Sequence, residues 1–300
     1  MARKKRINQQ ATTTSDPEEL PPCPGPKLHA FPYQNSPIEW LERLDEELEG
    51  LPGGGTDGYV FKVKIESQLY ALKVFKFFNP EDTRFYWGPI LKGSFPSQTV
   101  AFHTDPFYAE CRAYGRIKEA QDKGLLKRQI VIPCLGYIFL QDKYRAILEK
   151  SGIDLEEECL DDDVEPLSPE PSSRLRRPIR AIVKELASQD SGVHPKSLNK
   201  ILRDIKKLNK LEIYNRDIRI DNFKDGKLVD FGSSWTEPHC FMHSADKEQP
   251  KETRLGDLVM FDDMIELEGF KTDVRATPSW SHCKKLRSQA KKAGYEYFSL

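Results

Sequence analysis

The sequence predicts an α+β protein of two lobes, a β-rich N-terminal lobe carrying one helix and a small, mainly helical C-terminal lobe. Three observations lead there. Apolar residues alternate through "GYVFKVKI" and again through "LYALKVF", with only "ESQ" between them. This is the pattern of two strands joined by a tight turn. Apolar residues recur at helical spacing in "DPFYAECRAYGRIKEA" and "HPKSLNKILRDIKKLNKLEI", the mark of amphipathic helices. An acidic and then Pro/Ser-rich stretch, "DLEEECLDDDVEPLSPEPSSRLRRP" at 154–178, stands between the two patterned regions.

Composition bounds the rest. A chain of 300 residues, 38% of them hydrophobic, is long enough to bury a sizeable core. Its 46 basic residues balance 47 acidic ones, for a net charge of -1, so no global field recruits nucleic acid or an anionic membrane. The six cysteines form no C-x-x-C pair, which argues against a zinc site or a dense disulfide framework and for a reducing compartment. The apolar runs are strand-sized and the N-terminus has no secretory pattern. The expectation is a protein without a membrane segment, intracellular, in the nucleus or cytoplasm.

Residues 1–30 combine "ARKKR" with Gln, Thr and Pro. They offer too little apolar surface to offset ordering entropy, so a disordered tail is expected there, and "RKKR" fits a nuclear import signal as well as a solubilising tail. The N-terminal lobe is expected over 37–150, with an insertion at 79–106. The biased stretch is expected as an exposed insertion over 151–178 marking the lobe boundary, and a reduced C-terminal lobe follows over 179–300. Ser168 precedes Pro169 in that insertion and fits either a phosphorylation site or an unmodified loop.

Within the hairpin, Tyr59, Phe61, Val63 and Ile65 share one face of the first strand, and Leu69, Ala71, Lys73 and Phe75 share a face of the second. A lysine on such a face either snorkels from an edge or pairs with a buried anion. Just upstream, Gly53, Gly55, Gly58 and Val60 fit G-x-G-x-x-G-x-V and precede a strand that leads within a hairpin to A-x-K. A dinucleotide-binding glycine loop would instead open a helix. Glu110 falls with Ala113, Tyr114 and Ile117 on one helical stripe, a carboxylate placed to meet a lysine. "YIFL" and "YRAILE" around "QDK" suit a further hairpin, ending at "LEKSG". Ser197 suits the N-cap of a helix whose stripe is Leu198, Ile201, Leu202, Ile205 and Leu208. Then Asp217 and Asn222 stand with four residues between them in "NRDIRIDN", Asp225-Gly226 suits a primed hairpin turn, and "VDFG" supplies Asp230, Phe231 and Gly232.

In this order, over residues 50–232, the motifs resemble the protein-kinase-like superfamily. The resemblance implies a bilobal protein-kinase-like fold with ATP and Mg²⁺ in the cleft. It implies that Gly53, Gly55, Gly58, Val60, Ala71 and Lys73 contact nucleotide, that Glu110 holds Lys73, and that Glu149 lies in a hinge receiving adenine. It further implies that Asp217 accepts a hydroxyl proton, Arg219 steadies the phosphoryl group, and Asn222 with Asp230 holds the metal. More narrowly, "YALKVFKF" with "NRDIRIDNFKDGKLVDFGSSW" resembles a filamentous-fungal family grouped under the kinetochore Sim-four complex subunit Fta-two, which implies a chromosomal role and kinetochore or chromatin partners.

The sequence departs from the superfamily pattern in two ways. Asn215 replaces the histidine of H-R-D, and no A-P-E follows Gly232, where "TEPH" at Thr236 to His239 is the nearest segment. A shortened docking segment bears on a protein acceptor more than on ATP. Two function classes follow: a phosphotransferase acting on Ser/Thr or another alcohol, protein or small molecule, and a pseudokinase scaffold. In "DLVMFDDMIELEGF" a helix is expected, with Asp262 and Asp263 as candidate substrate contacts. "SHCKKLRSQAKKAGYEYF" suits a solvated basic helix, and its few interleaved aromatics argue against direct nucleic-acid binding.

Overall fold

The structure, a computed structural model, describes residues 20, 25–45, 57–78, 95–155, 177–244 and 248–277. A five-stranded antiparallel sheet is built from β1 (Glu39–Arg43), β2 (Gly58–Ile65), β3 (Gln68–Phe75), β4 (Cys134–Leu140) and β5 (Ile179–Glu185), in the spatial order β1-β2-β3-β5-β4. The β2–β3 turn has Glu66 and Ser67 both at positive φ, 46° and 65°. Two left-handed central residues match the twist of the flanking strands, and this keeps Phe61 opposite Leu72 and Val60 opposite Lys73.

That register separates two faces. Tyr59, Phe61, Val63 and Ile65 join Tyr70, Leu72 and Val74 in one buried cluster. The opposite face carries Val60, Ala71, Lys73 and Phe75. Helices α1 (Ser97–Thr104) and α2 (Pro106–Asp122) follow β3. Asp105 caps α2, its carboxylate accepting from the Phe107 amide at 3.0 Å, and Pro106 occupies the first helical position, where no donor is needed. Asp105 also pairs with Arg180 of β5, tying the helix start to the sheet.

Helix α3 (Asp142–Lys150) lies where a second strand of a hairpin was expected. Tyr144 and Leu148, one turn apart, are both buried in the cluster with Tyr59 and Phe61, and the Tyr144 hydroxyl accepts from the Ile38 amide at 3.0 Å. The i, i+4 pair outweighs the short apolar run that suggested a strand. The strand partner of β4 comes later in the chain: β5 pairs with β3 on one side and β4 on the other. Residues 179–185 are therefore central to the N-terminal lobe, and the lobe boundary expected at 178 falls inside the sheet.

Two other expectations change. Residues 25–30, assigned to a disordered tail, pack against the lobe: Leu28 is buried, Ala30 bridges Tyr137, and the Phe31 amide donates to the Tyr137 carbonyl at 2.8 Å. Two glycines permit this approach, because a Cβ on Gly115 of α2 or on Gly136 of β4 would meet that segment's backbone at 2.6 Å. Of the insertion expected at 79–106, residues 97–104 are the helix α1 and Pro106 begins α2, while residues 79–94 lie outside the described residues. The basic head, the centre of the acidic insertion and the terminal basic stretch also lie outside them.

The second lobe contains α4 (Leu198–Lys210), β6 (Ile213–Tyr214), a 3₁₀ turn (Ile220–Asn222), β7 (Phe223–Lys224), β8 (Lys227–Leu228), β9 (Trp235–Thr236), α5 (Cys240–Ser244) and α6 (Glu248–Leu267). The α4 stripe Leu198, Ile201, Leu202, Ile205 and Leu208 is buried as its spacing predicts. Ser197 does not cap it; its hydroxyl donates to the His194 carbonyl at 2.9 Å and accepts from the His194 amide at 3.0 Å. The β7–β8 turn has Asp225 and Gly226 at φ 52° and 65°, the primed turn the sequence calls for. One apolar core runs from Phe75 and Ile182 of the sheet through Phe107, Tyr114 and Ile117 of α2 to α4 and to Phe261, Met264 and Ile265 of α6, so α2 joins the two lobes. No helix among the described residues is long and apolar enough to cross a membrane.

Candidate functional site

The cleft between the lobes gathers four charged side chains. Lys73 of β3 is 5% exposed and Glu110 of α2 is 0% exposed; their Nζ and Oε1 lie 2.6 Å apart. The same ammonium donates to both carboxylate oxygens of Asp230, each at 2.8 Å. Of the two alternatives open to Lys73, pairing with a buried anion is the one found. A second lysine, Lys184 of β5, sits 2.8 Å from Glu110 Oε2 and donates to the Val229 carbonyl at 2.6 Å. Two ammonium and two carboxylate groups therefore neutralise one another, Lys73, Lys184 and Glu110 buried and the Asp230 side chain one third exposed, and such pairing is the condition under which buried charge is tolerated.

Asp230, Lys73 and Glu110 shift accordingly. Burial pushes the Asp230 carboxyl up, but Lys73 and Lys184 outweigh it and hold Asp230 far below the usual carboxylate range. Burial opposes the charge on Lys73, and Asp230, Glu110 and Asp57 together raise it well above an ordinary lysine. Glu110 is pushed up by burial, against the pull of Lys184 and Lys73. Phe231, fully buried, stacks edge-on against Tyr114 of α2 at 5.1 Å, and the Gly232 amide donates to Asp230 Oδ1 at 2.8 Å. These contacts fix the direction of the Asp230 side chain.

Asp217 lies on the loop after β6, half-buried. Asn222 donates its amide to the Asp217 carboxylate at 2.7 Å and to the Asp217 carbonyl at 3.0 Å. This commits the nitrogen of Asn222, so that the oxygen is the atom of this side chain that could meet a cation. Arg219 is exposed, 3.5 Å from Asp217. Asn215, the departure from the histidine pattern, donates from Nδ2 to the Asp230 carbonyl at 2.6 Å and accepts from the Asp217 amide at 3.1 Å. A primary amide thus ties the Asp217 loop to the Asp230 segment with one donor and one acceptor.

Sequence reasoning missed the residue beneath this loop. Asp257 of α6, 1% exposed, accepts from the Asn215 amide at 2.9 Å, the Arg216 amide at 2.7 Å and Asn209 Nδ2 at 2.7 Å. Burial raises its carboxyl, and those hydrogen bonds oppose the rise. Arg216 stands at φ 66°, strained for a residue with a side chain, and its guanidinium lies 3.9 Å from the Trp235 ring centre. The signal was present, because Asp257 shares a helical stripe with Phe261, Met264 and Ile265, as Glu110 does with its own apolar neighbours. Lys184 was missed because residues 179–185 were assigned to the other lobe.

Of the remaining sequence-predicted residues, Val60 opposes Lys73 and Ala71 opposes Lys184, both half-buried on the sheet face that carries the lysines. Gly58 opposes Phe75 at the end of the β2–β3 pairing, and Gly53 and Gly55 lie outside the described residues. Glu149 does not belong to the site: it is exposed on α3, which packs on the far face of the sheet. The segment leaving β5 runs to the β7–β8 hairpin, where Ser188 donates to the Asp225 carboxylate and the Gln189 carbonyl accepts from Lys224. Asp262 is buried and accepts from Ala276 and Thr277, so it fastens the chain after α6. Asp57, at the end of the glycine-rich stretch, is the further residue at the cleft: a side chain on Gly232 would collide with its carboxylate.

Residues 16–235 match the family described as kinetochore Sim4 complex subunit FTA2. The chain belongs to that family, and the matched span covers the sheet, α2 and every cleft residue from Asp57 to Asp230. A search of curated proteins finds no match.

Proposed function

We propose that the chain is a kinetochore-associated subunit whose two-lobed body is a kinase-like nucleotide-binding module acting chiefly as an interaction scaffold in the nucleus. The family supports the kinetochore role. The observation that supports the nucleotide reading is the cluster joining Lys73, Glu110 and Asp230 across the cleft, with Asn222 and Asp217 beside it. The donor chemistry fits magnesium-ATP: a carboxylate and an amide oxygen suit a hard cation, and a lysine suits phosphate oxygens. The Glu185–Gln189 segment, rather than Glu149, is the place for the base. Bound magnesium-ATP would supply a transferable phosphoryl group. The protein's own part is to hold Lys73 with Glu110, fix Asp217 with Asn222, and brace that loop with Asp257.

Transfer to an alcohol is the second reading, favoured by one observation: Asp217 keeps a half-buried carboxylate oriented by Asn222 although a scaffold requires no base. The acceptor would be a Ser/Thr hydroxyl or a small-molecule alcohol. Two measurements test the whole. Magnesium-ATP is expected to raise the melting temperature of the wild type, and Asp230→Ala to lose the magnesium-dependent part; no shift at millimolar nucleotide sinks the nucleotide site. A tagged chain is expected at centromeres, and signal spread evenly through the cell sinks the kinetochore role.

A further inference from the structure

We propose that Lys184 is a positioning residue: it shares the hold on Glu110 with Lys73 and keeps Glu110 and helix α2 against the segment before Asp230 when Lys73 turns to an anionic ligand. Glu110 divides its oxygens, Oε1 to Lys73 at 2.6 Å and Oε2 to Lys184 at 2.8 Å. Lys73 also holds both oxygens of Asp230. A phosphate that draws Lys73 away would strip a fully buried carboxylate of its counter-ion if no second cation were present, a strongly unfavourable state. Lys184 is that second cation.

Its placement is rigid. Lys184 lies in the interior strand β5, opposite Ala71 on one side and Cys134 on the other, with its own side chain 8% exposed. Its ammonium passes 5.3 Å from the Tyr114 ring centre and donates to the Val229 carbonyl, which also accepts from the Tyr114 hydroxyl at 3.2 Å. One ammonium therefore links the sheet, helix α2 and the Asp230 segment, and the cleft is assembled before any ligand arrives. The clamp stands on these contacts alone; only its use by a nucleotide rests on the function proposed above.

Hydrogen exchange on the full chain tests it. Without ligand, Lys184→Met is expected to speed exchange of the α2 amides around Tyr114 and of Asp230–Gly232 at least about tenfold, Lys184→Arg to stay within about threefold of wild type, and Lys73→Met to change these amides less than Lys184→Met. Equal loosening by Lys73→Met and Lys184→Met, or none by Lys184→Met, overturns the proposal. Should Lys184→Met fail to fold, Lys184→Met/Glu110→Gln is expected to fold, because a neutral amide needs no counter-ion; equal failure of both variants also overturns it. Loosening as expected, with no magnesium-ATP shift in the wild type, keeps the clamp and removes the nucleotide reading.

Discussion

Asp257→Ala is expected to cost about 3–5 kcal/mol of folding stability, a large part of the roughly 5–15 kcal/mol typical of a domain. The figure follows from what the carboxylate holds. Two backbone amides and one side-chain amide donate to it at 2.7–2.9 Å inside the lobe. A hydrogen bond to a charged group contributes about 1.5–3 kcal/mol, and a donor left buried loses its solvation as well. The sum is reduced because burial already strains the carboxylate upward. Asp257→Asn should recover little: if its one oxygen stays with Asn209 and Asn215, its NH₂ group faces the Arg216 amide, donor against donor. Urea unfolding followed by circular dichroism reads the change, and a loss under about 1 kcal/mol for Asp257→Ala would refute the bracing role. The same variant should weaken any magnesium-ATP shift, since Asn215 passes the disturbance to the Asp230 carbonyl through its 2.6 Å bond.

Lys73→Met should abolish nucleotide-dependent stabilisation, whereas Asp217→Ala should keep it and lower any phosphoryl transfer at least about a hundredfold; a smaller fall argues against Asp217 as the base, and transfer indistinguishable between wild type and Asp217→Ala leaves the scaffold alone. Asp57→Asn should tighten nucleotide about fivefold in a binding titration, because it removes an anion beside Gly232 from the path of phosphate; unchanged affinity would place that carboxylate outside the path. His239 is buried beside His103 and Arg112, and burial first, then those neighbours, holds its imidazole well below the ordinary value of 6.5. The folded chain therefore refuses a proton that the unfolded chain accepts, so this stability is complete above pH 6.5 and falls by about 1.4 kcal/mol per pH unit below it. His239→Gln, whose amide nitrogen can replace the donor to the His103 carbonyl at 3.1 Å, should flatten that slope in urea unfolding at pH 7.5, 6.5 and 5.5.

The hairpin, helix α2 and helix α4 were legible because each exposes its period over several residues, and the β7–β8 turn because Asp-Gly specifies its own backbone. Glu110 was legible as a carboxylate inside an apolar stripe. Helix α3 was not, because nine residues with two buried positions look alike as a strand or a helix until a partner face is known. The error then propagated: once "YRAILE" filled the place of a strand, "IRAIVKE" had no place in the sheet, and Lys184 went with it. The boundary placed at the acidic stretch compounded this, since a long insertion between two strands of one sheet has the composition of a linker. Asp257 was overlooked for another reason. Its partners are backbone amides, which leave no trace in a search for charge of opposite sign.

The balance of charge in the cleft bears on which function prevails. With two lysines and two acids mutually paired, the cluster is stable without a ligand, and a cation at Asp230 must compete with an ammonium that already holds both its oxygens. Nucleotide binding as proposed would therefore exchange one satisfied set of ion pairs for another and gain only the difference between them. A fast enzyme would benefit from a site that is incomplete until substrate completes it. A scaffold benefits from the opposite, a fixed angle between lobes whether or not nucleotide is present, because its partner reads the outer surface. The double hold on Glu110 fits the second requirement better, and retention of Asp217 and Asn222 fits the first. Placing Lys184→Met and Asp217→Ala in the same partner-retention assay separates them: loss of partner with Lys184→Met alone identifies lobe geometry as what the partner recognises, and retention by both denies it.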